Sequence, residues 1–208
     1  MIQEADLKQE IIEYGRLCGV KNFTPGMSGN MSARFGENVI ITSSGSANGY
    51  LSEDEFSIID MNGKVVGGHP KPSSEYKVHL AFYKKRSDVN YIIHVHAPNL
   101  SSFASSGIAL TDPIMAENVY YFGEIPLAEY GLPSSDDLAE KTAVYFDKYN
   151  AVLMANHGFI VGDKTIKDAY LKLELAEAYA QVVLNTKILG GANLLNEKQV
   201  KEIIALKG

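Results

Sequence analysis

The sequence predicts an α/β fold, a β-sheet wrapped by helices within a single domain over residues 1–208. Three observations carry this expectation. With 208 residues, 46% of them hydrophobic, the chain can bury one sizeable core. Short runs rich in β-branched residues alternate with stretches whose apolar residues recur at helical spacing. No Pro-, Ser- or Gly-rich linker separates two halves, and no repeat or low-complexity tract interrupts the alternation.

The elements follow in order. Leu7, Ile11, Ile12, Tyr14 and Leu17 make residues 4–18 an amphipathic helix, with Gly19 as its stop. After a loop of small residues, Thr24 to Asn30, strands are expected at Met31 to Phe35 and Val39 to Thr42. A second such loop, Ser43 to Gly49, leads to strands at Phe56 to Asp60 and Lys64 to Val66, joined by the hairpin signal Asn62-Gly63. Pro72-Ser73-Ser74 opens a helix, and Lys84-Lys85-Arg86 suits its C-terminal dipole. The apolar run around Ile92 and Ile93 reads as a buried strand, and Ala97 to Ser105 as a short helix. Residues Ile108 to Pro133, punctuated by Tyr, Pro and Gly, show no period. Ser134 or Ser135 caps a helix to about Tyr149; Ala151 to Ala155 and Phe159 to Val161 are apolar runs. Helices from Thr165 to about Leu189 and from Glu197 to Leu206 close the chain.

Composition excludes several function classes. The net charge of −6 comes with no basic block, so phosphate neutralisation along a nucleic acid has no basis. One cysteine, Cys18, rules out disulfide frameworks and cysteine-based zinc sites, and its amphipathic setting makes it a buried small hydrophobe. No apolar run reaches transmembrane length and the acidic N-terminus does not resemble a signal peptide, so a cytoplasmic location is expected, with no membrane partner.

The chemistry centres on His94-Val95-His96. Alternate residues of a strand share a face, so the two imidazoles point the same way and can hold a divalent metal. Taken alone, the pair is better explained by two strand-end histidines bonded to carbonyls. Glu75 would ordinarily be a solvated partner of a helix dipole; facing a metal, it would serve as ligand and acid/base. His157, before Gly158, ends another apolar run, and the glycine would let the backbone turn away from a site. His69 and His79 are rival ligands, the latter four residues beyond Glu75, although neither ends a core strand. The loops Gly29-Asn30, Ser44-Gly45 and Ser73-Ser74 offer N–H groups and hydroxyls to a phosphate, the last at a helix N-terminus. Each loop alone is also ordinary turn chemistry, and none matches a Walker A pattern.

Together these segments, with Pro72-Ser73-Ser74-Glu75 and Asn156-His157-Gly158, resemble the class II aldolase/adducin family from about residue 7 to residue 205. The resemblance implies a central, mostly antiparallel sheet covered by helices. It implies zinc, or another divalent ion such as manganese or cobalt, on His94, His96 and His157, with Glu75 as fourth ligand and catalytic acid/base. Phosphate would lie on Gly29, Asn30, Ser44, Gly45, Ser73 and Ser74. The implied reaction cleaves a ketose 1-phosphate of the L-fuculose 1-phosphate kind to dihydroxyacetone phosphate and an aldehyde, in a homotetramer with active sites between subunits.

The chain departs from the family's aldolase pattern on the aldehyde side. The segment that carries a tyrosine there reads Leu110-Thr111-Asp112-Pro113-Ile114-Met115 here, with Tyr120 and Tyr121 nearby, and no tyrosine-bearing tail precedes Gly208. Rival readings are a family epimerase acting on L-ribulose 5-phosphate, a related sugar-phosphate dehydratase or decarboxylase, a metal-dependent hydrolase, and a non-catalytic adducin-like module. The epimerase branch tends to carry Asp where Glu75 stands, and the three histidines speak against the non-catalytic module.

Overall fold

In the computed structural model, which describes residues 3–206, the β-branched runs are extended and join in one eight-stranded sheet. The strands are β1 (Asn30–Phe35), β2 (Asn38–Thr42), β3 (Phe56–Asp60), β4 (Val65–Gly68), β5 (Tyr91–Val95), β6 (Leu127–Ala128), β7 (Ala151–Met154) and β8 (Gly158–Asp163). Their order is β4-β3-β2-β1-β5-β8-β7-β6, and every pairing is antiparallel except β6 with β7. The expected mostly antiparallel sheet is therefore what the chain builds. β5 lies inside it, between β1 and β8.

The helices are α1 (Glu4–Val20), α2 (Tyr76–Lys85), α3 (Pro98–Ser105), α4 (Ala116–Tyr121), α5 (Asp136–Ala143), α6 (Ile166–Ile188) and α7 (Glu197–Ala205). Strand alternation sorts the core into two layers. Ile93 and Val95 of β5 pack with α1, α3 and α6, while Ile92 packs with α2 and α5. His94 and His96 share the parity of Ile92, which turns them toward the α2 face.

Gly19 does not stop α1, which runs on to Val20, and three further features differ from expectation. The α2 helix begins at Tyr76 with Glu75 as N-cap residue, after a turn in which Glu75 N–H donates to Ser73 Oγ at 3.3 Å. The two serines thus precede the helix instead of forming its first turn. The α5 helix is capped by Ser135 and stops at Ala143, after which Phe146 turns into the core and stacks on Phe82 at 3.9 Å. The unassigned stretch contains α4 and β6, held by a bridge between Leu110 and Ile125. Gly208 and the other three terminal residues lie outside the described residues. Among those described, no helix is long and apolar enough to cross a membrane.

Candidate active site

The β5 strand brings His94 and His96 to one face, and the turn between β7 and β8 delivers His157 beside them. Asn156 takes the left-handed conformation in that turn, at φ 57°. The backbone reversal expected of Gly158 therefore belongs to Asn156. Gly158 has a different role: a Cβ there would lie 2.6 Å from the Val95 carbonyl oxygen and 2.8 Å from His96 Cδ2. Only a glycine lets β8 pass this close to the imidazoles.

The three rings form a nearly equilateral triangle, with centroids 4.9, 5.0 and 5.1 Å apart. One nitrogen from each lies within 4.8 Å of the others. Glu75 closes the group: Oε2 is 3.0 Å from His94 Nε2, and Oε1 is 3.0 Å from His157 Nε2. The Phe159 carbonyl, 2.9 Å from His94 Nδ1, can only accept, so Nδ1 carries the proton. In neutral His94 the Nε2 lone pair then faces His96 Nε2 at 3.2 Å and the carboxylate.

Such a cluster of acceptors demands a shared positive charge. Burial opposes ionisation of Glu75, but the His94 and His157 imidazoles outweigh it and hold the carboxyl well below the usual carboxylate range. Burial likewise disfavours a charged His94, and Glu75 more than offsets it, raising the imidazole. His96, pushed down to about 3 by burial and then by His94 and His157, remains neutral. Three imidazole nitrogens and a carboxylate are a donor set that suits a divalent ion, and the carbonyl behind His94 fixes its tautomer for that purpose.

The three small-residue loops also meet here. Asn30 pairs with His94 across the sheet, and a Cβ on Gly29 would lie 2.5 Å from the His94 carbonyl oxygen. Ser43 bridges to Pro72, Ser73 N–H donates to the Thr42 carbonyl at 2.9 Å, and Asn48 Nδ2 donates to the Ser28 carbonyl at 3.0 Å. Ser44, Gly45 and Ser74 are exposed, and Ser73 is buried. The Ser44 N–H is already bonded to the Lys71 carbonyl, so only its hydroxyl remains for a ligand.

His79 is no metal ligand, contrary to the rival reading from sequence. Both its ring nitrogens are engaged, Nε2 with Asn30 Oδ1 at 2.5 Å and Nδ1 with Ser32 Oγ at 2.7 Å. Asn30 in turn donates from Nδ2 to Glu75 Oε2 at 3.0 Å. Asn30 and Ser32 had a legible signal: polar residues two apart on a strand, facing Glu75, His79 and Tyr83 four apart on the next helix. His69 is half-buried, with Nδ1 against the backbone of Lys71. Tyr121 lines a cavity with Asp163 and Lys172, at the end of β8 remote from Gly158. Within one chain it is therefore not a neighbour of the histidines.

The sequence model of the Class II Aldolase and Adducin N-terminal domain family matches residues 9–184. The chain belongs to this family. Among its relatives, 5-deoxy-D-ribulose 1-phosphate aldolase of Bacillus thuringiensis serovar kurstaki is 32% identical, over 94% of this chain and 92% of its own. The 3-oxo-tetronate 4-phosphate decarboxylase of Haemophilus influenzae is 31% identical, over 94% and 95%. A solved L-fuculose 1-phosphate aldolase superposes with a TM-score of 0.92 at 28% identity, covering 99% of this chain and 98% of that one. Family membership, together with these enzymatic relatives, supports an enzyme of the aldolase or lyase kind.

Proposed function

We propose that this chain is a metal-dependent aldolase that cleaves a ketose 1-phosphate, of the L-fuculose 1-phosphate kind, to dihydroxyacetone phosphate and an aldehyde. The observation that carries the reading is the convergence of His94, His96 and His157 on the Glu75 carboxylate. His94, His96 and His157 would hold the ion, zinc in the first instance with manganese or cobalt as substitutes, and Glu75 would be its fourth ligand before substrate arrives. Bound there, such an ion supplies Lewis acidity that stabilises negative charge on the substrate oxygens. The phosphate is held by Gly29, Asn30, Ser44, Gly45, Ser73 and Ser74 where the loops converge, Ser44, Gly45 and Ser74 lying on the exposed side and Asn30 and Ser73 buried behind them.

Glu75 moves the proton. When the C3–C4 bond breaks, its electron pair stays on C3 as an enediolate, and the C4 hydroxyl proton passes to the ionised Glu75 carboxylate, directly or through solvent, as the aldehyde forms. Glu75 then delivers a proton to C3, and it removes that proton in the direction of synthesis. The carboxylate can do this because it rests ionised at the imidazole cluster, each oxygen 3.0 Å from a ring nitrogen of His94 or His157.

A decarboxylase is the second reading, supported by the Haemophilus relative and by the missing tyrosine between Leu110 and Met115. A ketose 1-phosphate cut at C3–C4 and a 3-oxo-tetronate 4-phosphate losing its carboxylate leave the same three-carbon enediolate. What differs is the leaving group, an aldehyde or carbon dioxide. The test is a panel of L-fuculose 1-phosphate, 5-deoxy-D-ribulose 1-phosphate, 3-oxo-tetronate 4-phosphate and L-ribulose 5-phosphate with zinc-loaded enzyme, read by product mass. Release of dihydroxyacetone phosphate with an aldehyde is expected. Release from the oxo-acid alone would select the decarboxylase, and epimerisation without cleavage would overturn both.

A further inference from the structure

The polar residues behind Glu75 form one continuous chain. Asn30 and Ser32 alternate on the face of β1 that meets α2, and Glu75, His79 and Tyr83 recur every fourth residue on the α2 side. They interlock: Tyr83 Oη lies 2.8 Å from Ser32 Oγ, Ser32 Oγ 2.7 Å from His79 Nδ1, His79 Nε2 2.5 Å from Asn30 Oδ1, and Asn30 Nδ2 3.0 Å from Glu75 Oε2. Ser32 and His79 are fully buried, and Tyr83 and Asn30 nearly so.

Elementary donor and acceptor chemistry gives the chain a direction. The ionised carboxylate only accepts, so the Asn30 amide turns its NH2 to Glu75 and its carbonyl to His79. That carbonyl needs a donor, so His79 carries its proton on Nε2. Burial, reinforced by His94, lowers the His79 imidazole to about 3, which keeps it neutral and leaves Nδ1 to accept from the Ser32 hydroxyl. Ser32 then accepts from Tyr83, which also lies 3.4 Å from the Asn90 carbonyl, at the limit of a hydrogen bond. Every proton points toward Glu75. The surrounding layer of Val78, Phe82, Ile92 and Ile160 is apolar. A polar row set in such a layer is costly unless its members are satisfied, and from Tyr83 through Ser32 and His79 to Asn30 they are.

We propose that His79 is a positioning residue for proton transfer: its Nε2–H tautomer sets the Asn30 amide, which fixes the Glu75 carboxylate against the imidazole cluster. The proposal rests on Glu75 being the proton-transfer group. It gives Asn30 a role besides phosphate binding, because an amide turned the other way would present a carbonyl to the carboxylate and repel it.

Two measurements on the zinc-loaded full chain test it. Nitrogen-15 NMR of labelled histidine should find His79 protonated on Nε2 and bare on Nδ1; an Nδ1–H tautomer would reverse the chain and overturn the proposal. The second follows deuterium uptake from D2O into dihydroxyacetone phosphate, which needs no aldehyde. His79→Leu should lower kcat for exchange by about tenfold to a hundredfold, with KM and zinc content little changed. His79→Gln, which keeps a donor near the Nε2 position, should recover to within about threefold of wild type. Equal losses in folded His79→Leu and His79→Gln, or a His79→Leu effect on KM alone, would mean a merely structural role. If His79→Leu does not fold, Ser32→Ala carries the test: it frees Nδ1 and should yield mixed tautomers with a partial loss of kcat. An unchanged tautomer and kcat in Ser32→Ala would then sink the idea. Undiminished exchange in Glu75→Gln would remove the underlying reading, whereas an inactive Glu75→Gln beside a normal His79→Leu would remove only this inference.

Discussion

At the residue scale, two side-chain positions control the site in different ways. In the proposed mechanism Glu75 supplies the movable proton, so Glu75→Gln should keep the histidine triangle and its metal while exchange into dihydroxyacetone phosphate falls by at least about a hundredfold. Metal analysis beside the exchange rate checks this, and a variant with wild-type turnover would exclude Glu75 from the chemistry. Gly158 acts through the space it leaves empty. In Gly158→Ala the new methyl group meets the Val95 carbonyl, His96 Cδ2 and, at 3.1 Å, His94 Cε1. Since contacts behind ligands are worth about tenfold to a hundredfold in affinity, zinc binding should weaken on that scale in competition with a chromogenic chelator. Unchanged affinity would show that the β8 strand yields more easily than the imidazoles.

At the element scale, helix ends and one helix–sheet seam hold the site in register. The α3 helix starts two residues after His96, with Pro98 at its first turn and no capping side chain from its own N-cap residue, Ala97. Glu177 of α6 serves instead, accepting from the Asn99 and Leu100 N–H groups at 2.9 Å and from Asn99 Nδ2 at 2.8 Å. Glu177→Ala leaves these donors, buried at Leu100 and half-buried at Asn99, without a carboxylate and should cost roughly 3 kcal/mol, read from urea unfolding midpoints at constant slope. A loss below about 0.5 kcal/mol would mean that water replaces the carboxylate there. The seam between β1 and α2 has its own signature in pH. Arg34 extends it, donating to the Tyr83 carbonyl at 3.0 Å with its guanidinium 4.7 Å from the Tyr83 ring centroid. Folding lowers His79 from 6.5 to about 3, so between these values the unfolded chain binds a proton that the native one refuses. Its contribution to stability is complete above 6.5 and is lost as the pH falls toward 3. Urea unfolding from pH 7 to 4 should accordingly be steeper in pH for the wild type than for His79→Gln. Equal slopes would assign the acid sensitivity to other groups.

At the scale of the whole molecule, the sheet places β5 between β1 and β8, so three segments distant in sequence contribute to one site. Metal binding to the folded chain alone then stabilises the fold. Zinc at a hundredfold excess over its dissociation constant adds about 2.7 kcal/mol. For a domain of this size that is a rise in melting temperature of roughly 5 to 10 °C, reversed by a chelator and absent when the three histidines are replaced by alanine. A melting temperature indifferent to zinc would deny the cluster its metal. The homotetramer that the family resemblance implies is checked by light scattering in solution, where a monomer would place the whole site on one chain.

Much of this molecule was legible in the order of its residues. Apolar periodicity marks the helices and most strands, and the two-residue period of β5 places His94 and His96 on one face, because both are local consequences of backbone geometry. The same local rules missed the short α4 and β6, which lack a period of their own, and extended α5 past Ala143, where burial of Phe146 outweighs helix continuation. Gly158 shows the limit most clearly: its sequence suggests a turn, but its reason is an imidazole on a different strand. His79 could be read as a ligand only until Asn30 and Ser32 occupied both its nitrogens. Residue types and spacings determined which groups were available for chemistry. Which of them meet, and which way their protons point, was decided by strand order and packing, since hydrogen-bond direction depends on partners that are far away in the chain.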